Sequence, residues 1–205
     1  MRQMRRAVAL WALASAVAAP TVLLAASAAA RLMRTAKYDP VTQSISELAN
    51  GRSDAVMTAG IVLSSLAQIV TAAGLYTLRL RARVALAFAG CCGLALAGLP
   101  VSQQSTMLPH LIIAGFGATA LAVSPLLAIS AEGSAPAVCQ PRWAIVASVV
   151  LVALLMWVFA AMRRGGDLGL AERLAASTEL MWPLTVAVAA WLSSSRNPNT
   201  TDTRL

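Results

Sequence analysis

"WAIVASVVLVALLMWVFAAM", residues 143–162, decides the fold. No charged side chain interrupts it. As a helix it is about 30 Å long at 1.5 Å per residue, which is the thickness of a bilayer's hydrocarbon layer. Arg142 precedes it and Arg163 and Arg164 follow it, as anchors at the two water boundaries do. Working outward, similar apolar runs occupy residues 7–30, 55–78, 84–101, 107–131 and 174–192. The expected fold is therefore all-α: a polytopic membrane protein with six transmembrane helices in one bundle, residues 7–192. Residues 1–6 form a basic N-terminal end, and 193–205 are expected as a disordered tail.

Composition agrees with that layout. Of 205 residues, 59% are hydrophobic and 12% charged, whereas soluble domains are about half apolar and a quarter charged. The net charge of +8 does not indicate nucleic-acid binding. The arginines end apolar runs and are not interleaved with aromatics in a patch. Membrane lipids, and a second copy or another membrane protein, are the expected partners. The three cysteines have no Cys-x-x-Cys or Cys/His spacing, so no zinc site and no disulfide framework is expected. Cys91 and Cys92 read as buried small hydrophobes.

Residues 7–30 follow Arg2, Arg5 and Arg6 and end in small residues, which also suits a signal peptide. The run is long enough to span, and Arg31 and Arg34 anchor its far end, so a retained helix is the reading adopted. With six crossings both termini share a side. Placing the N-terminus inside puts nine basic residues inside and seven outside, the direction the positive-inside rule favours.

Between the first two runs lies "YDPVTQSISELANG", residues 38–51. Asp39-Pro40 is a helix start and Asn50-Gly51 a stop. Ser44 and Glu47 have capping-box spacing, and Ser53 or Asp54 is expected to cap the second span. Val41, Ile45 and Leu48 fall on one helical face. A short amphipathic helix over 40–49 is expected, either a plain connector or one wall of a site.

Alternation of the spans gathers Asp39, Glu47, Asp54, Asp167, Glu172 and Glu179 on one side with His110, leaving Glu132 and Asp202 on the other. Surface ion pairs would explain most of these. Glu179 is different, because the sixth run must include it to reach spanning length. It would lie about 8 Å inside that helix, where an ionisable group needs protein or water and a partner. His110, Arg52 and Arg173 are the candidates. A polar pocket built from Glu179, His110 and the opening segment is the site hypothesis.

No catalytic motif is present. One histidine is too few for an intramembrane zinc hydrolase, and no nucleophile elbow, phosphate loop or dinucleotide fingerprint occurs. Gly90, Gly93, Gly98, Gly115 and Gly117 read as close helix packing. A non-enzymatic protein without a cofactor is expected.

Three stretches carry a resemblance: residues 38–75 from "YDPVTQSIS", residues 98–128 around "GLPVSQQSTMLPH", and residues 169–186, "GLAERLAASTELMWPLTV". In order and over nearly the whole chain they resemble the bacterial membrane family DUF998, the domain of unknown function 998. The resemblance implies six or seven spans, a bacterial source, and Asp39, Ser44, Ser46, His110, Glu172 and Arg173 as family positions; with the charge bias above, the expected location is the bacterial inner membrane with cytoplasmic termini. It also implies a distant likeness to eukaryotic six-span proteins linked to lipid and membrane trafficking. The turn "SQQST" departs from the more acidic or glycine-rich turn of many members. Together these readings give a ligand site of Asp39, Ser44, Ser46, Glu47, His110, Glu172, Arg173 and Glu179 on the outer face, for a lipid headgroup or small polar ligand. The alternative is a small secondary transporter, with Pro20, Pro125 and Pro183 as helix breaks.

Overall fold

A computed structural model describes residues 9–34, 38–50, 53–76, 78–99, 104–130 and 135–195. Six helices make the structure: α1 (Leu10–Met33), α2 (Asp54–Gly74), α3 (Leu80–Leu96), α4 (Gln104–Leu127), α5 (Pro141–Arg164) and α6 (Leu168–Ser195). Single 3-10 turns occur at Ser46–Ala49 and Ala137–Cys139. No strand occurs among the described residues.

Among the described residues, five helices are long and apolar enough to cross a bilayer: α1, α2, α5, and the stretches Ser105–Leu127 of α4 and Leu168–Ser193 of α6. The α5 segment has the highest mean hydropathy, 2.7. Helix α3 has 17 residues, about 26 Å at 1.5 Å per residue, and it spends its first turn on Arg81 and Arg83. The sequence placed this helix at 84–101; it ends at Leu96 and turns at Ala97–Gly98.

Each helix packs on the next, and α6 closes the ring against α1. Lipid offers apolar surface as good as a neighbouring helix does, so close backbone approach and hydrogen bonds hold such a ring together. At the α2–α3 seam a Cβ on Gly90 would lie 2.6 Å from Ile69 Cγ1 and 2.9 Å from the Ser65 carbonyl oxygen. Gly93 presses on the Ser65 hydroxyl and Gly117 on Cys92 in the same way. Gly98 and Gly115 do not fit the packing reading, since Gly115 faces open space. Across α1–α2, Ser64 donates to the Ala19 carbonyl at 2.8 Å and Ser15 pairs with Thr71 at 2.9 Å.

Three expectations change. Residues 40–49 are not one α-helix but a turn at 40–42 followed by the 3-10 turn. The expected loop at 163–173 shrinks to 165–167. Gly165 and Gly166 take φ of 74° and 98°, values only glycine adopts freely, so α5 stops there and α6 starts at once. Cys92 is buried, but Cys91 is exposed on the outside of the bundle, where a membrane helix meets lipid. In addition, Ser193–Ser195 continue α6, and the expected tail from 196 onward lies outside the described residues.

Candidate functional site

The opening segment folds back on α6. Its hydrogen bonds explain why it is not helical. Pro40 O and Gln43 O accept from Arg173 Nη1 at 2.8 and 3.1 Å, and Val41 O accepts from the Leu170 amide at 3.0 Å. The amides that would reach those oxygens in a helix, of Ser44, Ile45 and Glu47, donate instead to the side chains of Glu47, Glu172 and Ser44, and an N–H has one proton to give. Leu170 in turn is one of the first-turn donors of α6 that lacks a partner within its own helix. Gly169 permits this approach: a Cβ there would meet the Gln43 carbonyl and, at 2.6 Å, that of Pro40.

Asp39 caps its own turn, taking the Val41 amide and the Thr42 hydroxyl at 3.0 Å each. The capping box is realised in reciprocal form. Ser44 Oγ accepts the Glu47 amide at 3.2 Å, and Glu47 Oε1 accepts the Ser44 amide at 3.3 Å. It starts a 3-10 turn and not a longer helix. Ser53 occupies the N-cap position of α2, but its hydroxyl turns back to the Leu48 carbonyl at 2.6 Å.

Arg173 also donates to the Gly169 carbonyl at 2.7 Å and to the Tyr38 hydroxyl. Tyr38 donates onward to the carbonyls of Gln43 and Ser44 at 3.0 and 2.8 Å. Its ring lies 5.4 Å from the Arg34 guanidinium and 5.5 Å from that of Arg173, within cation–π range. Burial pushes the Tyr38 hydroxyl's pKa up, opposed by the hydrogen bond and charge of Arg173. Glu172 Oε2 accepts the Ile45 amide at 2.7 Å.

His110 joins the same end of the bundle from α4. Its Nδ1 lies 2.8 Å from the Leu99 carbonyl oxygen, and its Nε2 lies 3.1 Å from Ser46 Oγ. A carbonyl only accepts, so Nδ1 carries a proton. In the neutral ring Nε2 then accepts from the Ser46 hydroxyl. Both ring nitrogens are engaged.

Below this polar cap a cavity of about 630 Å³ runs down the centre of the bundle. Of the eight candidate residues, Ser44, Ser46, Glu47, His110, Glu172 and Glu179 line it, and Asp39 and Arg173 do not. Four lining residues have exposed side chains: Met107 and Leu111 on α4, and Phe159 and Met162 on α5. The cavity therefore opens sideways between α4 and α5, toward the bundle's outer surface.

Glu179 sits deeper than the sequence suggested. Starting α6 at Leu168 puts it about 16 Å along the helix. It is 4% exposed, and Oε1 has no hydrogen-bond partner among the described residues. Of the expected partners, His110 is held by Ser46 and Leu99 and Arg173 by the opening segment; Arg52 lies outside the described residues. Sequence reasoning missed its neighbour in the cavity, Gln68 of α2. This side chain is 3% exposed, and neither its amide oxygen nor its nitrogen has a partner among the described residues. A polar residue at the centre of the second apolar run was the available signal, the same one that singled out Glu179.

A ring of long apolar helices with a polar cap and a laterally open cavity defines a helical membrane protein. Its family follows from the chain itself: the protein belongs to the family described as "Protein of unknown function (DUF998)", whose profile matches residues 5–189. No curated protein and no solved structure matches it.

Proposed function

We propose that this protein is a six-span, non-enzymatic protein of the bacterial inner membrane that binds an amphiphile. The ligand's polar group sits under the cap formed by residues 44–47, His110 and Glu172, and its apolar part lies in the central cavity. The single observation carrying this reading is the cavity's lateral mouth between α4 and α5, which faces where lipid would be. Six crossings are supported by the closed ring, in which α3 fills the place between α2 and α4. The basic-residue bias favours cytoplasmic termini.

The test is lipid analysis by mass spectrometry of protein purified in mild detergent. Wild type carries a stoichiometric amphiphile. Gly115→Trp, which fills the cavity from a position whose Cβ meets nothing within 4 Å, elutes as a folded protein and carries none. Equal bound lipid in both proteins would refute the reading.

A second reading, a small secondary transporter, is favoured by one observation: Gln68 and Glu179 both line the cavity as buried polar groups without hydrogen-bond partners among the described residues, as groups of a substrate or coupling-ion site would. Proteoliposome uptake that discharges a proton or sodium gradient would select it.

A further inference from the structure

The cavity's charge runs against that of the chain. The protein carries a formal net charge of +8, yet the lining includes Glu47, Glu172 and Glu179 and no lysine or arginine among the described residues. Two of those carboxylates are occupied at the cap. Glu47 takes the Ser44 amide and Gln43 Nε2 at 3.3 and 3.1 Å, and Glu172 takes the Ile45 amide. Glu179 is not occupied. At 4% exposure, with Oε1 unsatisfied among the described residues, it lies beside the cavity with Gln68, whose acceptor and donor are also unsatisfied. Groups of this kind left without partners in an apolar interior destabilise the fold. The cavity supplies the space in which a partner would sit.

We propose that Glu179 and Gln68 form a subsite for an ammonium group, and that the cavity's ligand is an amine-bearing amphiphile. This rests on the amphiphile reading above and names its chemistry. An ammonium gives Glu179 its counter-charge and donates a further hydrogen bond to Gln68 Oε1. Gln68 Nε2 remains for a hydroxyl or carbonyl on the ligand. Glu172 lies seven residues before Glu179 on nearly the same helical face, which separates the cap from the deep subsite by about 10 Å along α6. A ligand whose second polar group lies about 10 Å from its amine engages both, and its tail leaves between α4 and α5.

The test uses the full chain in nanodiscs of phosphatidylcholine with radiolabelled hexadecylamine, hexadecanol and palmitate in a scintillation-proximity assay. Wild type binds the amine more tightly than the alcohol by about tenfold or more, and palmitate more weakly than both. Glu179→Gln brings the amine down to the level of the alcohol; Gln68→Leu weakens the amine by a smaller factor. The wild-type comparison stands even if either variant fails to fold. Amine and alcohol bound equally by wild type, or an amine preference retained in folded Glu179→Gln, would overturn the ammonium subsite alone. Failure of all three amphiphiles to bind would overturn the amphiphile reading with it. Competition then separates the sources. Displacement of the amine by vesicles containing phosphatidylethanolamine identifies a membrane aminolipid; displacement only by free long-chain amines identifies a soluble one. Either supports the subsite.

Discussion

The Glu172 carboxylate and the Ile45 amide meet at 2.7 Å across 127 residues of sequence. This bond ties the opening segment to α6 directly above the cavity. Glu172→Leu leaves the Ile45 amide without its acceptor, an expected loss of about 1–3 kcal/mol. Thermal unfolding in detergent would register it, together with faster proteolysis within residues 38–50. An unchanged melting temperature and cleavage pattern would argue that the segment is held by Arg173 alone.

Gly169 tests the same docking from the other partner. Gly169→Val drives side-chain atoms into the carbonyls of Pro40 and Gln43, and overpacking of this kind costs about 1–3 kcal/mol. Hydrogen exchange at residues 41–45 should rise while exchange within α5 stays as in wild type.

Tyr38 gives the docked segment a pH dependence. Burial raises its pKa from 10.0, so the folded state holds the phenolic proton more tightly than the unfolded chain does. Its stabilisation is whole below pH 10.0 and is lost as pH rises through the raised value. The two carbonyls facing the hydroxyl would repel a phenolate. Melting temperatures measured on either side of pH 10.0 should fall at the alkaline end for wild type and fall less for Tyr38→Phe.

Cys139 does not suit a topology test. It is 1% exposed, and burial pushes its thiol pKa up to about 11. Under about one molecule in a thousand is thiolate near neutral pH, and the thiolate is the reactive form. A maleimide should label Cys139 only after denaturation. Gln140 and Arg164, both exposed and at opposite ends of α5, serve instead. With the N-terminus inside, an impermeant maleimide reaches Arg164→Cys in intact cells and Gln140→Cys only after permeabilisation. The opposite pattern inverts the orientation.

The long apolar helices were legible because spanning length and charge exclusion act along the local chain. The capping box at Ser44 and Glu47 was legible for the same reason. The helix over 40–49 was misread because its decisive partners, Arg173 and Leu170, lie far away in sequence. Those groups dock the carbonyls at 40, 41 and 43 on α6, and the Ile45 amide that a helix would use goes to Glu172. Glu179 was found because a carboxylate within an apolar run is conspicuous, but its depth was underestimated. The arginines and acids at 163–173 suggested loop, and only two positive-φ glycines confine the break to 165–167. Gln68 carries no charge and passed unremarked inside its span.

The glycine contacts divide the ring unevenly. Along α1, α2 and α3 the helices close up at Gly60, Gly74, Gly90 and Gly93, where even a methyl group would collide with the neighbouring helix. On α4, Gly115 has free room, and the cavity mouth lies on that flank. On the proposed amphiphile reading, a bulkier guest would therefore find room on the α4 side and none against the small-residue flank. The width of molecule accepted would then depend on where α4 and α5 stand.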